Sequence, residues 1–310
     1  MLEVASTVGT EIYESDSFFP GTIWSVQPAH PEYGFSGVPT NGQVIKNAAW
    51  RNFCRLTGRT EADRADGDGT FVITGPGASK LSISRTNKGG VEILPSQTSA
   101  DTNTGGFFYA PDAVKQYVYD NTVVGSSTDS IFAMVLYMVP VRDVPAGFAA
   151  PTSMAIAAVQ RPGATSMLRI SPSASEAPPG AALPSTAYAR PSVFPIGTPT
   201  LRMMTGDRWN TSVPAIGNFH ILAGAGNSPD VTNSFYQNKS GGIVLYRADL
   251  VDLSVSGLDI NLTGARTPSP TLYLDYEAFR LSHRRTLDFL FGATGPFYGD
   301  NIPVSAGSFA

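Results

Sequence analysis

Residues 131–139, IFAMVLYMV, are apolar at every position. That run narrows the fold more than any other feature of the chain. A strand with one face in water alternates apolar and polar residues, whereas a continuous apolar run marks a strand covered on both faces. The run is far shorter than the ~20 residues a membrane-spanning helix needs. It is therefore expected to be the central strand of a layered β fold.

Other runs support that setting. Segments 71–74, 80–84, 90–94, 153–160, 167–171, 219–223, 241–246 and 249–256 read as further strands. In KLSIS, for example, Leu81 and Ile83 share one face and Ser82 and Ser84 the other. The turn signals DGDG (66–69), GPG (75–77), NKGG (87–90) and NKSGG (238–242) supply the Gly and Asn that accept positive φ in antiparallel hairpins. With 31 Gly and 24 Pro against only 15% charged residues, the composition favours strands and turns. The 42% hydrophobic content is too high for a disordered polymer. No repeat of 20 to 50 residues is visible, which disfavours propellers and solenoids.

Three segments have helical spacing. Residues 47–56 place Ala49, Trp50, Phe53 and Leu56 on one stripe, with a strand as the alternative there, and 111–121 place Val114, Tyr117 and Val118 on one face behind Pro111. Residues 275–291 carry Phe279, Leu287, Leu290 and Phe291, with Asp275 expected as the cap and Gly292 as the stop. Residues 1–45 are expected to form an N-terminal segment, extended and involved in assembly. The sandwich then occupies 46–310, with a Pro/Ala-rich loop over about 171–200.

The residues that carry chemistry are sparse. His30, His220 and His283 belong to a turn, a strand and a helix, without metal-ligand spacing. Cys54, the single cysteine, lies on an aromatic stripe that suits a buried inert thiol and leaves no intramolecular disulfide or thiolate metal site. Asp63, Asp66 and Asp68 resemble a calcium loop in spacing. In EF-hand register, however, Arg64 falls at the first ligand position and Gly75 where a bidentate Glu belongs, so a turn with solvated acids is the simpler reading. Neither a nucleophile elbow nor a phosphate-binding loop is complete. No catalytic residue and no cofactor is expected, although carboxylates brought together from distant strands would suit a polysaccharide depolymerase.

Net charge is −4 and the 21 Lys and Arg are scattered, so no nucleic-acid surface is expected. The acidic N-terminus MLEVASTVGTEIYESD has no signal-peptide pattern, and no membrane insertion is expected. Trp24, Tyr33 and Phe35 lie in a Pro/Gly-rich stretch and Trp209 lies in GDRWNTS. Loop tryptophans can stack on sugars, which makes Trp24 and Trp209 the candidate ligand-binding residues, against the plainer alternative that such rings anchor loops.

The C-terminal third carries a resemblance. GGIVLYRADLVDLSVSGL (241–258) is followed by LDYEAFRLSHRRTLDFLFGATGPFYGDN (274–301). The order of Tyr246–Arg247, the acidic strand 252–257, Asp275 and Phe279, then Gly295, Phe297, Gly299 and Asp300 resembles virion proteins of tailed bacteriophages. FFYAPDAVKQYVYDN and SIFAMVLYMVPV upstream are similar to a helix and core strand of the same set. Pro296 stands where a second Gly is usual, and the helix runs longer than the pattern. The resemblance implies an antiparallel jelly-roll or β-sandwich of lectin-like type with two or three short helices. It further implies a virion component assembled in the host cytoplasm: a tail fibre or host-surface-binding protein, or alternatively a capsid-decorating or purely structural one. Its implied partners are copies of itself, a trimer foremost, other virion proteins and a host cell-surface glycan.

Overall fold

The computed structural model describes residues 18–74, 80–97, 104–122, 132–143, 156–160, 168–170, 195–206, 216, 219–226, 241–256 and 270–303. In chain order the first half contains β1 (Thr22–Val26), β2 (Gln43–Ile45), α1 (Trp50–Thr57), β3 (Gly69–Thr74), β4 (Leu81–Arg85), β5 (Val91–Pro95), β6 (Gly105–Tyr109) and α2 (Asp112–Thr122). There follow β7 (Phe132–Arg142), β8 (Ala157–Gln160), β9 (Leu168–Ile170), β10 (Thr200–Gly206), β11 (His220–Gly226), β12 (Gly242–Asp252) and α3 (Pro270–Phe291). Among the described residues the protein is mainly β, with two antiparallel sheets and three α-helices. None of the described helices is long and apolar enough to cross a membrane.

One sheet has the order β10-β7-β12-β5-β4, with β1 also paired to β12; the other has the order β2-β3-β6-β11-β8-β9. Residues 132–139 of the apolar run lie in β7, which is buried along its whole length. Its alternate residues serve two cores. Phe132, Met134, Leu136 and Met138 join Ile93, Ile243, Phe71, Phe108 and Ile221 between the sheets. Ala133, Val135, Tyr137 and Val139 face the opposite way, where Phe279, Leu287 and Leu290 of α3 cover them. A helix is thus the second layer of cover that the sequence of β7 demands.

β12 is the partner that organises this sheet. Along one edge it pairs with β7 throughout; along the other it pairs first with β5 and then with β1. The register breaks between Leu245 and Arg247. Before the break Ile243 and Leu245 point to the inter-sheet core, and after it Ala248 and Leu250 do, so Tyr246 is the extra residue of a bulge. This explains why 241–246 and 249–256 read as two strands. Each half alternates, but the two are out of phase. The second half then ends in a short 3-10 turn at Leu253–Val255.

Omitting β2 to β5, the pairs β1–β12, β6–β11, β7–β10 and β8–β9 are nested like the rungs of one long hairpin, and that hairpin is divided between the two sheets. β3 and β2 extend one sheet beyond β6, and β5 and β4 extend the other beyond β12. Where β6 meets β11 the backbones approach closely. A Cβ on Gly224 would stand 2.0 Å from the carbonyl oxygen of Gly106, so this ladder requires glycine.

The helices fall close to where their stripes place them. α1 buries Trp50, Phe53 and Cys54, and Gly58 ends it in the left-handed conformation with φ 71°. Buried Asn47 fastens α1 to β1: its amide donates to the Ile23 carbonyl, and its Oδ1 accepts from Ser25 N–H and Ala49 N–H. α3 begins at Pro270, so Asp275 lies inside the helix and does not cap it. Residues 22–45, expected in a segment apart from the sandwich, supply β1 to one sheet and β2 to the other. Most of the expected 171–200 loop lies outside the described residues, and its last residue, Thr200, opens β10.

Candidate functional site

Of the two tryptophans expected to bind ligand, Trp24 is on strand β1 with 1% of its surface exposed. That is a correction to its assignment as a loop aromatic, because a ring buried in the inter-sheet core offers no face to a sugar. Trp209 lies outside the described residues. Phe35 follows the anchoring alternative. It packs on Phe108 of the core, and Arg85 holds the loop from below through the Phe35, Gly37 and Pro28 carbonyls while its guanidinium lies over the Phe35 ring.

The acidic turn does not gather its carboxylates. Asp63 accepts from Thr60 Oγ1 at 2.9 Å and Asp68 pairs with Arg64 at 3.6 Å. Among the described residues no group of three or more His, Cys, Asp or Glu is placed to hold a metal ion. Cys54 is buried, and burial first, then Glu61 and Asp63, raises its thiol pKa. That environment suppresses the thiolate. His220 packs beside the ring of Tyr109 at the start of β11.

The richest polar arrangement grows from the bulge in β12. The extra residue places both Tyr246 and Arg247 on the outer face, under the end of α3. Arg247 Nε binds both carboxylate oxygens of Asp249 at 3.0 and 2.8 Å, and both residues are buried. Ser25 Oγ donates to Asp249 Oδ1 at 2.7 Å and receives a bond from Gln27 Nε2 at 3.2 Å. The guanidinium lies 5.3 Å from the centroids of both Phe18 and Tyr137. Beside it, the Tyr137 hydroxyl is bonded to His283 Nδ1 of α3. Burial raises the Tyr137 pKa and holds His283 down at about 4, so both are neutral at pH 7.

Tyr246 ties a second set of groups together. Its hydroxyl donates to Asp300 Oδ2 at 2.7 Å, and its ring packs on Phe291 and Phe297. Asp300 also accepts the backbone N–H of Lys88, and Asn301 accepts that of Asn87, which fixes the β4–β5 turn against the C-terminal segment. Tyr246, Phe297 and Asp300, picked out in sequence as parts of one motif, are therefore in mutual contact. Their role here is to close a structural junction.

Between these groups lies a cavity of about 330 Å³. Tyr246 and Arg247 line it from the bulge, Gln27 and His30 from the loop after β1, and Asn87 and Lys88 from the β4–β5 turn. Leu290, Pro296 and Phe297 supply apolar wall. Sequence reasoning missed this site, because it joins four segments whose proximity depends on the bulge. The only local signal was the break in alternation at Tyr246–Arg247. No protein-family model, no curated protein and no solved structure matches the chain.

Proposed function

We propose that the chain is a structural protein of a virus particle, of the bacteriophage kind its C-terminal motifs resemble, and that its sandwich is a jelly roll. The observation that carries this reading is the nested order of eight strands. The sequence β1-β12-β7-β10 in one sheet and β6-β11-β8-β9 in the other is what results when a long hairpin is rolled up, as in viral capsid and lectin domains. Fold alone does not choose a function. The resemblance over 241–301 selects the virion, and the strand order favours a shell or decoration protein over a tail fibre. Acidic groups that are buried or half-buried also serve packing: Asp249, Asp300 and Asp252 are bonded to Arg247, Tyr246 and Tyr117.

The test is to purify the full chain and follow its state by sedimentation and electron microscopy, alongside antibody labelling of particles from its host. Regular multimers of many copies and labelled shells are expected. A chain that stays monomeric at high concentration and is absent from particles overturns the proposal. Shortening of host polysaccharide by the purified chain would instead assign it to the depolymerases.

A further inference from the structure

We infer that the cavity beside the β12 bulge is a binding site for a small acidic saccharide, a pyranose carrying a carboxylate. This inference does not depend on virion assembly.

Charge makes the first argument. The chain is net negative, yet the titratable groups lining the cavity are His30, Lys88 and Arg247, together with the Tyr246 hydroxyl; among the described residues no carboxylate lines it. Two acids bonded to lining residues are themselves engaged. Asp249 accepts from Arg247 and Ser25, and Asp300 accepts from Tyr246 and from the backbone of Lys88 and Asn301. An anion entering the cavity therefore meets the donors of Lys88 and Arg247, and among the described residues no carboxylate belongs to the lining.

Preorganisation makes the second. Arg247 is 4% exposed and clamped by Asp249, so its position costs no ordering when ligand arrives. The backbone of Lys88 is fixed by Asp300, while its side chain is exposed and makes no hydrogen bond or ion pair among the described residues. His30 Nδ1 accepts the N–H groups of Glu32 and Tyr33, both at 3.1 Å, which makes Nε2 the nitrogen that carries a proton.

Shape and the remaining lining make the third. The volume is at the lower end of the ~300–1,000 Å³ usual for small-ligand sites. The amides of Gln27 and Asn87 match sugar hydroxyls, and the wall of Phe297 and Leu290 matches the apolar face of a pyranose. An inorganic anion would leave that wall unused.

The experiment measures binding of glucuronate, N-acetylneuraminate, glucose and inorganic phosphate to the full chain by calorimetry and ligand-observed NMR. It compares the native chain with Lys88→Glu and His30→Gln, both judged folded by their melting curves. Glucuronate or N-acetylneuraminate is expected to bind in preference to glucose. Lys88→Glu is expected to weaken that binding roughly ten-fold or more, as loss of one charge-assisted contact does. Absence of binding by both acidic sugars, equal binding of glucose, or binding unchanged in Lys88→Glu overturns the site. Phosphate binding as tightly as the sugars overturns the saccharide assignment.

Discussion

At the scale of single residues, His283 sets an acid limit on stability. Its ring is 3% exposed, its Nδ1 is bonded to the Tyr137 hydroxyl, and its Nε2 is buried with no hydrogen-bond partner among the described residues. Burial lowers its pKa from 6.5 to about 4; Asp249 opposes the shift and Arg247 adds to it. As pH falls below 6.5 the unfolded chain takes up a proton that the folded chain refuses until about 4. Stability contributed by the neutral ring is therefore complete above pH 6.5 and is lost towards pH 4, by roughly 3 kcal/mol. Asp252 acts in the opposite sense, because burial raises its carboxyl pKa and the folded chain takes up that proton first. Comparing the native chain with His283→Gln isolates the histidine. Urea midpoints measured from pH 7 to pH 4.5 should fall more steeply for the native chain than for the variant, and equal slopes would refute the assignment. Little of this was legible beforehand. His283 reads as one histidine on a helix, and its burial depends on Phe19, Tyr137 and Phe279 closing round it. Trp24 misled for a related reason: β1 is buried at all five positions, so it lacks the alternation that would have marked a strand behind Pro20 and Gly21.

At the scale of elements, α3 is both the most legible feature and the one whose partner was least legible. The stripe of Phe279, Leu287 and Leu290 marks an apolar face. Nothing local says that this face covers the outer side of β7, β10 and β12, although IFAMVLYMV does state that both faces of its strand need cover. Phe279 is fully buried, edge-on to Phe19 at 4.9 Å, in the cluster with Tyr137, Leu201 and Met203. Phe279→Ala is expected to cost about 3–4 kcal/mol and to loosen α3 from the sheet before the inter-sheet core melts. Denaturant unfolding together with hydrogen exchange checks this: exchange should rise first in α3 and the C-terminal segment, and a uniform rise would contradict it. The strands that escaped notice share physical causes. β6 is GGFFY, whose glycines read as a turn yet are needed for the close approach to β11. β2 is three residues long, too short for any period to register.

At the scale of the whole molecule, the sequence pattern indicates antiparallel strands but not which strand meets which. β1 pairs with β12 through Ser25 and Asp249, and β6 pairs with β11 through Phe108 and Ala223. Ser25 and Asp249 are 224 positions apart and Phe108 and Ala223 lie more than a hundred positions apart, and the elements between them must be arranged before the pairs form. Local propensity and turn chemistry cannot encode such pairings, because loop closure over long separations is opposed by entropy and repaid only by the completed core. The same fact fixes a kinetic expectation. A fold dominated by non-local pairs has a transition state reached on the scale of milliseconds to seconds or slower, whereas local hairpins folding independently reach it in about microseconds. Stopped-flow refolding of the full chain, followed through its tryptophans, should therefore show no completed native signal within the dead time. Substitutions that weaken the β1–β12 contact differ in their effect according to when the ends meet. If Ser25→Ala, which removes the hydroxyl bond to Asp249, leaves the refolding rate unchanged and accelerates unfolding, β1 joins β12 last. That is the expected order, because β12 can already pair with β7 and β5 before β1 is added along the rest of the edge that β5 shares. A refolding rate that falls as much as stability does would mean instead that the β1–β12 pair nucleates the fold.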